Sequence, residues 1–213
     1  MGIYLFSRKA LHSALFDNPN LNDFGKQVIP EAIKKFKVYS YLFNEYWEDI
    51  GTIRAFFEAN LSLCQRHPPF QLFHPTRPIY TRQRNLSGST VIDSHITGSI
   101  INDGCLIKKA IVKNSVIGLR STLHDDSMVE DSLIMGADYY DSSDSSDTIR
   151  LGIGKNSRIK GAIIDKNARI GENVIIENQK KLAHYDDPSE RYYIRDGIVI
   201  VVKNAIIPNH TVI

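Results

Sequence analysis

The chain of 213 residues has no apolar run approaching the ~18 residues that a transmembrane helix needs. It is poor in cysteine. Cys64 and Cys105 fall in different segments with no CxxC spacing, which excludes a disulfide framework and points to a reduced, cytosolic protein. It is poor in net charge as well: 26 Lys and Arg against 24 Asp and Glu leave +2, too little for a field that would recruit nucleic acid by itself. Residues 1–6 carry no basic region ahead of their apolar stretch, so no secretory leader is expected. A glycine-rich loop of the GxGxxG or GxxxxGK[ST] kind is missing. A nucleotide-using domain normally places such a loop after its first strand.

What is present is the balance of a folded protein, 42% hydrophobic and 23% charged, with length for one large domain or two small ones. Its character changes near residue 64. Residues 3–6 are apolar and read as a short strand. Ser7 is placed to cap a helix carrying Leu11, Leu15 and Phe16 on one stripe. Residues 17–20 form a turn cluster, and Asp23 opens a second helix through Phe24, Val28, Ile29 and Ile33. The run VYSYLF at 38–43 alternates and is rich in β-formers, which predicts a strand. Thr52 begins a third helix through Phe56, Phe57, Ala59 and Leu61. Residues 64–87 hold Pro68, Pro69, Pro75 and Pro78, which block regular ladders, yet are apolar enough to predict a connector packed across the surface.

From Ile92 onward branched aliphatic residues recur at Ile96, Ile101, Ile107, Val112, Ile117, Leu123, Val129 and Ile134, in steps of 4, 5, 6, 5, 5, 6, 6 and 5. They resume at Ile153, Ile159, Ile164, Ile170 and Ile176, in steps of 6, 5, 6 and 6. This beat is neither helical nor simply alternating, and Val, Ile, Gly and Asn are poor helix formers. A step near six is the signature of a hexapeptide β-helix, whose stacked coils bury one continuous core. Asp103-Gly104, Lys113-Asn114, Lys155-Asn156, Lys166-Asn167 and Gly171-Glu172-Asn173 fall where the chain must turn corners. The acidic, serine-rich residues 137–147 read as a loop thrown out from one corner, either a solvated insertion or a phosphorylation or metal loop. A polar excursion at 178–195 follows, before the β-helix resumes at 197–202 and closes with Ile206-Ile207 and Val212-Ile213. The expected domains are thus 1–63 (α/β), a connector at 64–87, and a β-helix at 88–213 with an insertion near 138–150.

Three constellations could carry chemistry. In Tyr46-Trp47-Glu48-Asp49-Ile50-Gly51-Thr52, Asp49 either supplies a carboxylate for Mg²⁺, which takes one or two carboxylates plus phosphate oxygens, or caps the helix at Thr52. Asp23 either caps its helix or accepts hydrogen bonds from sugar hydroxyls. Arg84, Lys166 and Lys203 are either solvated singly or converge on a phosphorylated metabolite. Lys166 and Lys203 lie 37 residues apart, about two coils at roughly 18 residues each, which would put them on one face. His95, His124 and His210 fall in turns or near the end with no partner signature, so a β-helix acyltransferase is disfavoured.

In order along the chain, the stretches Met1-Gly2-Ile3-Tyr4, Asp23-Phe24-Gly25-Lys26, Tyr46 to Thr52, Ser115-Val116-Ile117-Gly118-Leu119-Arg120-Ser121, Glu130-Asp131-Ser132-Leu133-Ile134-Met135-Gly136-Ala137-Asp138-Tyr139-Tyr140 and Ala162-Ile163-Ile164-Asp165-Lys166-Asn167-Ala168-Arg169-Ile170-Gly171 resemble ADP-glucose pyrophosphorylase (glucose-1-phosphate adenylyltransferase), most closely the plant and cyanobacterial type. The resemblance implies the C-terminal portion of a Rossmann-like nucleotidyltransferase domain followed by a left-handed parallel β-helix. It implies the reaction of ATP with glucose 1-phosphate to ADP-glucose and pyrophosphate, with Mg²⁺, in glycogen or starch synthesis. On this resemblance Asp49 is a metal ligand and Asp23 belongs to the glucose 1-phosphate site. Lys166 and Lys203 match the lysines that bind the activator 3-phosphoglycerate, and Arg84 the connector arginine implicated in regulation by phosphate. The family's glycine-rich loop, its first metal aspartate and its sugar-phosphate lysine have no counterpart here, so only the C-terminal half is matched and the isolated chain is expected not to turn over ATP. Three expectations stand: a portion of the enzyme, from a split or truncated gene, to which the N-terminal half would restore activity; a regulatory or assembly module that binds phosphorylated metabolites and pairs with full-length subunits; or a remnant without activity. A homo-oligomer, or a hetero-oligomer with a complete subunit, is expected through an apolar patch near the N-terminus or through the β-helix. A cytoplasmic or, in a plant, plastid-stromal location follows, with no nucleic-acid or membrane partner.

Overall fold

A computed structural model describes every residue except 1, 18 and 143–147, so part of the acidic, serine-rich loop lies outside the described residues. The chain forms two compact units, Met1–Glu45 and Tyr46–Ile213.

The first unit holds α1 (Arg8–Phe16), a π-helical turn (Phe24–Val28) and α2 (Ile29–Lys35). The Ser7 hydroxyl accepts the Ala10 N–H at 3.2 Å and starts α1. Asp23 accepts the Lys26 N–H at 2.6 Å and starts the π turn, which runs into α2 with Pro30 in its first turn. Val28 and Ala32 are the buried residues of these elements, and Phe24 sits edge-on to Tyr4 and Phe6, with ring centroids 5.5 and 5.8 Å away. Residues 3–6 and 38–43, which the pattern marks as strands, pair with nothing among the described residues. A strand is made by its ladder, and β-propensity without a partner does not produce one. Leu5, Tyr39, Tyr41 and Leu42 consequently stand exposed.

In the second unit Thr52 accepts the Ala55 N–H at 3.1 Å and caps α3 (Ile53–Ser62). Residues 64–87 carry neither helix nor strand. They are exposed along most of their length, Phe73 at 89% and Tyr80 at 93%, rather than packed down as their apolar content suggests. Their four prolines remove backbone donors; the segment is held at its ends, where the buried Cys64 thiol donates to the Ser115 carbonyl at 3.5 Å and the Ser87 carbonyl accepts the Gly104 N–H at 3.0 Å, and by the Tyr46–Phe70 ring stack at 5.6 Å.

Three parallel sheets then close into a β-helix. The first face stacks Thr90–Ile92, Leu106–Lys108, Thr122–Leu123, Gly152–Ile153, Arg169–Ile170 and Ile206–Ile207. The second stacks His95–Thr97, Ile111–Lys113, Met128–Glu130, Arg158–Lys160 and Ile175–Ile176. The third stacks Ile100–Ile101, Val116–Ile117, Leu133–Ile134, Ala162–Ile164 and Ile198–Val201, extended by the antiparallel strands Tyr192–Arg195 and His184–Asp186 from the second excursion. Rungs repeat every 16 or 17 residues, as Ile96 on Val112 on Val129. Ile107, Val112, Ile117, Leu123, Val129, Ile159 and Ile176 are wholly inaccessible, so the beat read from the sequence is the core of the prism. Ile92 departs from the beat: it pairs with Lys108 and stays exposed, while the residue of the first rung in register with buried Ile107 is Val91.

Corners require left-handed backbone. Asp126, Asn156 and Asn173 supply it along one edge at φ 60°, 54° and 55°; Arg120, Gly136, Asn167 and Asn204 along another. Gly136 (φ 86°) is obligatory for a second reason, since a Cβ there would strike the Leu119 carbonyl. Buried serines seal the remaining edge. The Ser115 hydroxyl donates to the Lys113 carbonyl at 2.7 Å and accepts the Ser132 N–H at 3.1 Å; Ser132 repeats this toward Glu130 and Ala162. Each hydroxyl thus gives a partner to a buried backbone N–H one rung on and adds a second hydrogen bond to a carbonyl that already accepts the Asp131 or Gly161 N–H.

Ile159 lies mid-stack between Val129 and Ile176. Ile159→Ala is expected to lose about 2–5 kcal/mol in urea unfolding, with the far-ultraviolet spectrum of the folded state unchanged. His124 is half-buried with its Nε2 unpartnered. Burial foremost, then Lys155 and Lys108, push its imidazole below the ordinary value, against the opposing pull of Asp125 and Glu172. The unfolded chain, with an ordinary histidine near ~6.5, takes up the proton first. Stability should therefore be full above that pH and fall as the pH drops below it, and the fall should be shallower in His124→Asn; thermal melts between pH 7.5 and 5 check both.

Candidate functional site

The third face positions the two lysines. Ile164 pairs with Val201, and each strand ends two residues before a lysine, Lys166 and Lys203. The Asn204 N–H donates to the Lys166 carbonyl at 2.9 Å and keeps the rungs in step past the corner. The lysines are therefore on adjacent rungs. The 37-residue spacing is one coil plus the excursion that holds the antiparallel pair, not two coils; the expectation that they share a face is met by a different route.

Between them sits Asp138, which leaves the third face four residues after Leu133–Ile134 through the tight backbone at Gly136. Its Oδ1 lies 2.7 Å from the Lys166 Nζ and its Oδ2 3.3 Å from the Lys203 Nζ. The Asn167 Nδ2 donates to the same Oδ2 at 3.3 Å, and the Asn167 Oδ1 accepts the Asp138 backbone N–H at 2.7 Å. Asn167 Nδ2 also reaches the Asn204 Oδ1 at 3.1 Å, so the corner asparagines tie three rungs together. The two ammonium groups, Lys166 first, hold the Asp138 carboxyl at about 2, well below the usual carboxylate range. All three side chains are partly solvated, between 36% and 52% exposed, so the cluster is an open ion-paired corner rather than a buried ion pair.

The other candidates are placed elsewhere. Asp23 serves as the cap of its π turn. Asp49 accepts the Gly51 N–H at 3.2 Å and stands exposed just ahead of α3; the cap of that helix is Thr52. Arg84 donates to the Arg82 carbonyl at 3.0 Å within its own connector, and among the described residues no hydrogen bond links it to the lysine corner. His95 meets Thr97 at 3.1 Å and no catalytic grouping. Asp138 and Asn167 are the members of the site that residue-by-residue reading passed over. Their signal was the corner register: Gly136, Lys166 and Lys203 each fall two residues after the paired Ile134, Ile164 and Val201, which puts Asn167 and Asn204 at one turn position and Asp138 just past it.

α3 rests on the same face. Phe56, Phe57 and Leu61 pack against Leu133, Ile163 and Ile198, and Arg54 donates to the Asp196 carbonyl. The segment bearing Asp49 thus leads into a helix seated on the strands whose ends carry Asp138, Lys166 and Lys203.

A parallel β-helix of short aliphatic rungs, preceded in the chain by a smaller α-helical unit, defines the fold class. A family model for the nucleotidyl transferase matches residues 1–66, and one for the GLGC left-handed parallel beta-helix domain matches residues 84–212. The chain belongs to the latter family and is ADP-glucose pyrophosphorylase-like, a left-handed β-helix joined to part of a sugar-phosphate nucleotidyltransferase.

Proposed function

We propose that the chain serves glucose-1-phosphate adenylyltransferase, which joins ATP and glucose 1-phosphate into ADP-glucose and pyrophosphate for glycogen or starch synthesis. Its β-helix supplies the regulatory anion site. The observation that carries this reading is the convergence of Lys166 and Lys203 on one carboxylate across adjacent rungs. Two ammonium groups and an amide N–H, fixed by sheet register, suit a phosphate ester such as 3-phosphoglycerate, or inorganic phosphate. Arg84 would add to the same regulation only by movement of its exposed connector.

Asp23 is assigned to glucose 1-phosphate and Asp49 to Mg²⁺. Among the described residues no group of three or more His, Cys, Asp or Glu gathers around a metal position. The exposed Asp49 carboxylate fits the lesser demand of Mg²⁺, which takes one or two carboxylates and completes its shell with substrate phosphate oxygens and water. Bound there, the ion would neutralise phosphate charge. These 213 residues contain no glycine-rich phosphate cradle, so the chain by itself is not expected to release pyrophosphate from ATP. A second reading has the same corner act in an assembly module that pairs with complete subunits, or as a homo-oligomer in the cytoplasm or plastid stroma. The exposed Leu5, Tyr39, Tyr41 and Leu42 favour association.

Isothermal titration of the purified chain with 3-phosphoglycerate should give saturable heat that weakens as salt rises. Lys166→Ala and Lys203→Ala should each reduce the affinity about tenfold or more. No heat from the parent, or lysine variants indistinguishable from it, would overturn the regulatory assignment.

A further inference from the structure

We propose that Asp138 is a built-in occupant of the two-lysine corner: an incoming anion binds by taking the place of its carboxylate, so Asp138 sets both the affinity of the site and its choice among anions. This rests on the reading of Lys166 and Lys203 as an anion site and adds to it a residue that competes with the ligand.

Three features of the corner support it. First, the site already holds an anion. Both Asp138 oxygens are engaged, Oδ1 by Lys166 and Oδ2 by Lys203 and Asn167, which are the donors a phosphate would use. A ligand that left Asp138 in position would meet a carboxylate on its own donors, and like charges at that range repel. Second, Asp138 can leave without unfolding its surroundings. Its side chain is 43% exposed, and among the described residues its hydrogen bonds and ion pairs are to these donors alone, while its backbone stays pinned by Asn167 Oδ1. The excursion beyond it is anchored independently. Tyr140 donates to the Gly104 carbonyl at 2.9 Å, and Asp141 holds Arg169 at 2.8 Å and the Leu151 N–H at 2.7 Å. Rotation of one side chain is enough to open the corner.

Third, the charge count selects the ligand. With Asp138 in place, two lysines and one carboxylate leave a single positive charge; with Asp138 turned out, the corner offers two. A monocarboxylate entering from solution only replaces an identical group that is already tethered and so present at high effective concentration. A phosphate dianion gains the second charge. The site therefore favours doubly charged phosphate groups over single carboxylates because Asp138 guards it. Without that guard, the fraction of molecules with an open corner rises and the apparent affinity rises with it.

The test is titration of the parent, Asp138→Asn and Asp138→Ser with inorganic phosphate and with acetate, alongside Lys203→Ala, after matching far-ultraviolet spectra. The expected result is phosphate affinity about tenfold tighter in both Asp138 variants, together with acetate binding that the parent lacks. Acetylation of Lys166 and Lys203, followed by mass spectrometry, supplies a readout free of calorimetry. Both lysines should react faster in Asp138→Asn, and phosphate should restore their protection. Unchanged or weaker phosphate binding in the Asp138 variants, with Lys203→Ala still impaired, overturns the guard and leaves the anion site standing. Parent and Asp138 variants that all bind phosphate no better than Lys203→Ala overturn both.

Discussion

Each coil of the β-helix hides its aliphatic side chains only because the coils on either side present theirs at the same three positions. Ile164 is buried between Ile134 on one side and Val201 on the other, although 30 and 37 residues of chain separate them. Hydrogen bonding between parallel strands fixes that register, because a slip of one residue would turn every core side chain outward. The consequence reaches beyond stability. Strands about 4.8 Å apart carry whatever follows them to the same separation. Lys166 and Lys203 are neighbours for no reason of their own; they are neighbours because Ile164 and Val201 are paired.

Long insertions do not disturb this arrangement, since the ends of an excursion must return to a single rung spacing and their contents are free. The first excursion uses that freedom to deliver Asp138 to the lysine corner and Asp141 to Arg169. The two carboxylates sit in different electrostatic settings. Asp141 and Arg169 are mostly shielded, at 16% and 12% exposed, and hold a fixed contact that staples the excursion down. Asp138 faces solvent, where ion pairs are weak and salt-sensitive, and so its contact with the lysines is the one that can be exchanged. Burial separates a structural carboxylate from a replaceable one three residues away.

The core of the prism was legible because burial writes a period into sequence: the residues at steps of five and six are those the structure buries. Helix starts were legible for an equally local reason, as Ser7, Asp23 and Thr52 each accept a backbone N–H three residues on. Strands at 3–6 and 38–43 were misread because local preference says nothing about whether a partner is available. The lysine corner was half legible. The shared face was inferred from a spacing that counted an excursion as a coil, and Asp138 was passed over within a run of acidic residues whose destination only the stacking register reveals. The Asp49 alternatives were settled in part by geometry, which gives the cap to Thr52 and leaves the Asp49 carboxylate available to other partners.

The third face also connects the corner to the rest of its unit. Leu133, Ile163 and Ile198 support α3 with side chains from the strands that run on to Asp138, Lys166 and Lys203. Coupling between two sites needs an element with two arrangements that both sites can bias; proximity along a path is insufficient. The exchange proposed for the corner supplies two such arrangements, with the Asp138 carboxylate on the lysines or displaced from them. The face beneath α3 is close-packed, with Leu133 at 1% exposure and Ile163 and Ile198 at 5%, and a packed interior passes on a displacement instead of absorbing it. Ligand charge at the strand ends and the seat of α3 therefore draw on the same rungs. A helix that follows directly on Asp49 is the part of the chain best placed to register the exchange.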